Sequence, residues 1–156
     1  MTRRDSRTTT AARLIALLVA ALVVAGVSAQ ERPNFSGTWI VSPPSKSAGK
    51  EHVIKHDAAS LSTTMGRRPV TYPLDGTEHS SQVPMSGDVI RISTRAAWEK
   101  DRVVITVRTA YPTGMKTVTR ETWSLDAKGR LIIDIVETME GLPNKPDIQQ
   151  IVLVRK

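Results

Sequence analysis

The chain has 156 residues, 40% of them hydrophobic, and its 22 Lys and Arg residues outnumber its 15 Asp and Glu residues. This length suits one domain, and the lack of cysteine excludes a disulfide framework, a thiolate zinc site and a cysteine nucleophile. No apolar run reaches the roughly 20 residues that a transmembrane helix needs, which excludes a polytopic membrane protein.

Residues 1–29 have the pattern of a Sec-type signal peptide. Four arginines accompany a 12-residue apolar run over Leu14–Ala25, and Val27-Ser28-Ala29 places small residues where a signal peptidase cleaves. At about 1.5 Å per residue this run is too short to cross a hydrocarbon core of about 30 Å. We therefore expect cleavage between Ala29 and Gln30, and a periplasmic or secreted protein that meets a membrane only through its leader.

Much of the positive charge belongs to this leader. It holds four of the 22 basic residues and one of the 15 acidic ones, so the net charge falls from +7 for the whole chain to +4 for the rest. A surplus of this size, spread along the sequence, does not indicate nucleic-acid binding, which needs a clustered basic patch. We expect no nucleic-acid partner.

From Gln30 onward the composition favours strands, with 12 Val, 10 Ile and 13 Thr against 6 Leu. Branched side chains prefer the pleated surface of a sheet, and the glycines here are mostly 10 to 15 residues apart. Both patterns predict a single all-β domain over residues 30–156. In chain order, we predict strands over residues 38–42, 51–57, 69–74, 79–85, 88–99, 102–111, 115–125, 130–140 and 147–155. Residues 58–65 are predicted to hold at most two helical turns.

The turn lengths predict the register in which the strands between residues 88 and 140 pair with one another. A two-residue turn at Lys100-Asp101 places Trp98 opposite Val103, and the later turns place Val103 opposite Trp123 and Trp123 opposite Ile133. Because side chains alternate between the faces of a strand, one face is largely apolar. Its apolar members are Ile90, Ile92, Trp98, Ile105, Val107, Trp123, Leu125, Leu131, Ile133 and Ile135.

A meander with one apolar face must cover that face. We predict an antiparallel up-and-down sheet of about eight or nine strands that closes into a small barrel, with a β-sandwich as the alternative. Two acids interrupt the face: Glu121, between Ile105 and Ile135, and Glu137, opposite Thr119. A carboxylate in a dry core is costly unless it is paired or protonated. Either this end of the sheet is open to water, or Glu121 is the polar floor of a cavity.

The segment Asn34-Phe35-Ser36-Gly37-Thr38-Trp39 resembles the opening of calycins, the lipocalins and fatty-acid-binding proteins. In that family a Gly-x-Trp tryptophan closes the bottom of the barrel, and in lipocalins a basic residue of the last strand lies over it. The resemblance implies a barrel closed by Gly37, Trp39 and Arg155 or Lys156, and a guanidinium over an indole is a favourable contact. The segment also resembles the start of a group of small exported bacterial proteins.

No motif indicates a cofactor, a metal or a catalytic site. His52 and His56 share one face of a predicted strand but lie about 13 Å apart, too far for one metal ion. Gly-x-Ser-x-Gly, His-Glu-x-x-His and phosphate-loop patterns are absent from the sequence.

We therefore expect an exported monomer that binds a small apolar or amphipathic molecule in the barrel. The predicted ligand-binding residues are Trp98, Ile105, Glu121, Trp123, Ile133 and Ile135. An inward carboxylate favours a ligand with a hydroxyl, an amine or a cation over a free fatty acid.

Two other hypotheses remain. One is a protein–protein interaction or inhibitor module of the cell envelope, which uses loops or the outer face that bears Arg91, Arg95, Arg108 and Arg120. The other, which we favour least, is a hydrolase or isomerase housed in the barrel with Glu121 as its base.

Overall fold

The structure is a computed structural model that describes residues 32–65, 69–85, 87–141 and 145–156. The predicted signal peptide lies outside the described residues. Within them the chain forms ten strands: β1 (Gly37–Val41), β2 (Glu51–His56), β3 (Ser60–Thr63), β4 (Val70–Pro73), β5 (Glu78–Met85), β6 (Asp88–Glu99), β7 (Arg102–Ala110), β8 (Lys116–Leu125), β9 (Leu131–Met139) and β10 (Asp147–Arg155). This part of the chain includes no helix long and apolar enough to span a membrane.

All ten strands belong to one antiparallel sheet, in the order β4-β3-β2-β1-β10-β9-β8-β7-β6-β5. The predicted all-β up-and-down meander is confirmed, and a single sheet excludes a two-layer sandwich for the described residues. The sheet curls strongly into a half-barrel. The connection between β4 and β5 holds this curl, because the Gly76 N–H donates to the Ala96 carbonyl of β6 at 3.0 Å.

The predicted register of β6 to β9 is confirmed pair by pair. Trp98 lies opposite Val103, Val103 opposite Trp123, and Trp123 opposite Ile133. Glu121 falls between Ile105 and Ile135, as the alternation of side chains requires. These strands are long and their turns are short, so a slip of one residue would turn every apolar side chain outward.

The sequence predicts no strand within residues 58–65, but this segment contains β3. The Asp57 carboxylate accepts hydrogen bonds from the backbone N–H groups of Ala59 and Ser60 at 2.8 and 2.7 Å. This side-chain-capped turn reverses the chain and places Leu61 opposite His56 of β2. The extra strand raises the number to ten.

The apolar core fills one end of the half-barrel, which we call the filled end. Its inward side chains are fully buried and come from eight strands: Trp39, Val41, Ile54, Leu61, Ala96, Val103, Ile105, Trp123, Leu131, Ile133 and Leu153, with Phe35 just before β1. The other end we call the open end. There β5, β7 and β9 end at Met85, Ala110 and Met139, and β8 and β10 begin at Lys116 and Asp147.

Candidate functional site: the concave face of the half-barrel

Burial on the concave face decreases from the filled end to the open end along β9 and β10, whereas Thr117 of β8, next to the open end, is buried. Along β9, Leu131 and Ile133 are buried, Ile135 is half-buried, and Glu137 and Met139 are exposed. Strand β10 repeats the gradient, from buried Leu153 through half-buried Ile151 to exposed Gln149. The concave surface is therefore packed at one end and accessible to solvent at the other.

Glu121 lies at the boundary between these two regions. Its strand neighbour on the same face, Trp123, is buried, and the next residue on that face toward the open end, Thr119, is half-buried. The Trp123 Nε1–H donates to Glu121 Oε2 at 2.8 Å, which anchors the carboxylate on the edge of the core. Burial raises the pKa of Glu121, and the hydrogen bond from Trp123 opposes that rise only in part.

Tyr72 of β4 is the second polar group in this region, and sequence reasoning missed it. By register it lies on the concave face, opposite Leu61 of β3. Its pKa is raised to about 12, chiefly by burial and further by the negative charge of Glu121. Tyr72 also packs against the buried core, so this β4 side chain lies against the same core that Glu121 borders.

Four exposed apolar side chains lie on the concave side of the sheet, three of them at or near the open end. Val83 and Met85 of β5, Met139 of β9 and Val70 of β4 each have at least 40% of their surface exposed. All four lie on the concave side, because they pair with Ile90, Asp88, Thr117 and Thr63, residues that share the parity of the buried inward set. We call these four residues the apolar rim. Large exposed apolar side chains gathered at one place are typical of a binding surface.

Five of the six predicted ligand-binding residues fall into two groups. Glu121 and Ile135 are half-buried neighbours at the boundary, where they are accessible from the concave face. Ile105, Trp123 and Ile133 are buried beneath them and form the floor.

Trp98 lies apart from this set. Its ring stacks on Phe35 at a centroid distance of 5.9 Å and lies 5.3 Å from the His56 ring, and the Arg32 guanidinium lies 5.1 Å from its centroid. Burial lowers the pKa of His56, against the opposing charge of Asp57. This cluster packs the filled end rather than the concave face around Glu121.

Arg155 lies over Trp39, with the guanidinium carbon 4.7 Å from the centre of the indole. Its Nη1 donates to the Ser36 carbonyl at 3.0 Å and Trp39 Nε1 donates to the Phe35 carbonyl at 2.8 Å. Lys156 instead pairs with Glu51 at 2.8 Å, so Arg155 is the residue that covers the tryptophan. Gly37 is required beside it, because its φ is +145° and a Cβ there would lie 3.3 Å from Arg155 Nη1.

The outer face carries the four arginines that the sequence placed there. Arg108 pairs with Glu78 at 3.4 Å, Arg120 pairs with Glu99 at 3.2 Å, and Arg95 Nε donates to the Gly76 carbonyl at 2.7 Å. Arg91 has no ion-pair partner among the described residues. It lines a shallow groove with Arg108, Ser80, Gln82 and Ser93.

No group of three or more His, Asp or Glu side chains that could hold a metal ion occurs in residues 32–65, 69–85, 87–141 and 145–156. A scan of the chain against known protein families finds no match, and a search of curated proteins finds no similar sequence. The likeness to calycins therefore rests on architecture, a curled antiparallel sheet of consecutive strands.

Proposed function

We propose that this protein binds a small amphipathic molecule on the concave face of its half-barrel. The apolar part of the ligand lies along the apolar rim and Ile135, and its polar part reaches Glu121 and Tyr72. In this proposal the protein is exported by residues 1–29 and acts as a monomer. The Gly37, Trp39 and Arg155 arrangement supports it, since it matches the one expected from calycins, whose barrels carry such ligands.

The observation that carries the proposal is the position of Glu121. A carboxylate that burial makes costly to ionise lies where a filled core gives way to an open concave surface. A ligand that brings a hydrogen-bond donor or a positive charge to this point compensates the desolvated charge. An amine or an alcohol is therefore the expected head group, and a fatty-acid carboxylate is disfavoured because it would repel Glu121.

The proposal is tested with three alkyl probes of equal chain length that end in an amine, a hydroxyl and a carboxylate. Binding is followed by tryptophan fluorescence, because Trp123 donates its hydrogen bond to Glu121. We expect the amine to bind tightest and the carboxylate weakest. In Glu121→Gln, amine affinity should fall by about tenfold, the cost of one charge-assisted contact.

Two matched variants complete the experiment. Glu99→Gln removes a carboxylate from the outer face, where it pairs with Arg120, and should leave all three affinities unchanged. Met85→Ser with Met139→Ser shortens the apolar rim and should weaken all three probes together. Equal binding of amine and carboxylate, or binding that Glu121→Gln leaves unchanged, would refute the proposal.

A second candidate function uses the outer arginine face. Its support is the groove in which Arg91, without an ion-pair partner among the described residues, joins Arg108 and the hydroxyls of Ser80 and Ser93. Such a surface suits an acidic partner protein. Association should then weaken steeply with salt and should weaken further in Arg91→Gln.

A further inference from the structure

The first half of β10 has a strand partner on one side only. Residues 147–153 pair with β9, whereas β1 pairs only with Leu153, Val154 and Arg155. Among the described residues, 147–151 therefore form an open edge within the sheet, which we call the β10 edge. Unpaired edges of this kind are the sites at which extended peptides add to a sheet.

The direction of the backbone groups on this edge follows from the hydrogen bonds beside it. The Ser42 N–H donates to the Val152 carbonyl at 2.8 Å, and the Lys156 N–H donates to the Thr38 carbonyl at 2.9 Å. The N–H and C=O of one strand residue point to the same side, and alternate residues point to opposite sides. Ile148 and Gln150 therefore direct their backbone groups toward the open edge, where no bond from a described loop meets them.

The β10 edge lies beside a hollow that leaves room for an incoming chain. The hollow lies between the loop of residues 42–47 and residues 149–152 of β10. At Pro43-Pro44 the chain turns away from β10, so β1 does not continue alongside residues 147–151 of that strand. The loop of residues 42–47 forms the far side of the hollow. The hollow therefore suits one extended strand rather than a second sheet.

Strand β5, which is a terminal strand of the sheet, shows how an edge is normally protected. Strand β5 is exposed along its whole length and pairs with β6 alone. It carries Pro84, which cannot donate a hydrogen bond and so blocks pairing. The β10 edge has no proline and no basic residue, and Ile148 is 69% exposed.

We propose that the β10 edge binds an extended, acidic peptide segment of a partner protein as an added strand. Ile148 and Gln150 supply the backbone hydrogen bonds. Lys46 supplies the charge preference, because it lines the hollow and takes part in no ion pair among the described residues. A second copy of this chain fits less well, since its 147–151 segment offers a single acid, Asp147.

The first test measures binding of the fluorescently labelled peptide Thr-Glu-Val-Glu-Thr-Val by fluorescence anisotropy, with Thr-Lys-Val-Lys-Thr-Val as its matched control. We expect the acidic peptide to bind and the basic peptide to bind at least about tenfold more weakly. Lys46→Glu should reverse this preference. Free-acid and C-terminally amidated versions show whether the carboxylate comes from side chains or from a chain end.

The second test addresses the strand pairing itself. Binding should slow amide hydrogen exchange at Ile148 and Gln150, and Gln150→Pro should weaken binding by about tenfold, because it removes one donor and adds a ring at the edge. This variant keeps the backbone bonds to β9, which come from the odd-numbered residues, but it loses the side-chain bond from Gln150 Nε2 to Asp134 of β9 at 2.7 Å. Gln82→Pro on β5 is the control and should leave peptide affinity unchanged.

Three results would overturn the proposal. They are a folded Gln150→Pro variant with unchanged affinity, equal affinity for both peptides, and a concentration-dependent dimer that Gln150→Pro abolishes, which would assign the edge to a second copy. If Gln150→Pro does not fold, the exchange rates and Lys46→Glu decide the question in the remaining protein. None of these measurements depends on the concave face, so the two proposals fail or stand separately.

Discussion

Glu121 is the residue at which stability and binding make opposite demands. A leucine in its place would extend the apolar core, whereas the carboxylate is desolvated and held by a single hydrogen bond from Trp123. A buried acid of this kind is weak evidence for stability and reasonable evidence for function. The negative charge of Glu121 also contributes to the raised pKa of Tyr72, which fits the interpretation that this carboxylate has a functional role.

We expect Glu121→Gln to stabilise the protein at neutral pH. Burial raises the pKa of Glu121 above its ordinary value of 4.5, so the folded state binds this proton more tightly than the unfolded state does. The stability that this provides is present below pH 4.5 and is lost as pH rises through the folded-state pKa. Glutamine keeps an acceptor for Trp123 and cannot ionise.

Urea unfolding of both proteins from acidic to neutral pH measures this difference. The advantage of Glu121→Gln should grow as pH rises and then level off. Glu99→Gln, which changes an exposed carboxylate on the outer face, should stay within about 0.5 kcal/mol of the original protein. An advantage that is independent of pH would contradict the expected role of ionisation.

At the scale of elements, β1 shows how a short strand is fixed by contacts outside its own hydrogen bonds. Arg155 of β10 covers Trp39 and also holds the chain just before β1, through the Ser36 carbonyl. Gly37 allows this close approach.

We expect Gly37→Ala to lower the free energy of unfolding by about 1–3 kcal/mol, the usual cost of a strained backbone conformation. The φ of +145° and the 3.3 Å approach of Arg155 Nη1 both disfavour a Cβ. Gly49→Ala is the control, since Gly49 also has a positive φ, +83°, but a Cβ there would meet nothing within 4 Å. Urea unfolding should show the larger loss at Gly37, and removing Arg155 in a double-mutant cycle should recover part of it.

The elements differ in how far the sequence predicts them. Strands β6 to β9 are long, alternate clearly and are joined by short turns, so their register follows from side-chain parity. Strand β3 has four residues, and three of them are Ser or Thr, so it offers too little alternation to be recognised. Asp57, which forms the turn that sets it, is a local signal that sequence reasoning did not use.

At the scale of the whole molecule, the curl of the sheet brings together residues that no local pattern relates. Glu121 is predictable as an inward acid, because its neighbours on β8 are ordered by parity. Tyr72 is not, since β4 and β8 are distant in both sequence and strand order, and only the fold of the sheet places them near each other.

The curl itself depends on the contact between the β4–β5 connection and β6. Arg95 Nε donates to the Gly76 carbonyl at 2.7 Å, while the Gly76 N–H donates to Ala96. We expect Arg95→Met to speed amide exchange at Gly76 and across β3 and β4, and to cost about 1 kcal/mol. Strands β7 to β9 should keep their protection.

Arg102→Met is the matched control, because Arg102 makes only a loose, exposed ion pair with Asp101 at 3.8 Å. Exchange at Gly76 should be the same in this variant as in the original protein. If Arg95→Met left exchange at Gly76 unchanged, the connection would not be what holds the sheet in its curled form.

The gradient of burial along the strands has a consequence for how this protein tolerates change. Substitutions around Trp39, Trp123 and Leu153 would threaten folding, because those side chains are packed at close to 0% exposure. Substitutions at the rim meet solvent, so their effect on stability is small. Evolution or protein engineering can therefore change ligand preference through substitutions at the open end, while the filled end keeps the fold stable.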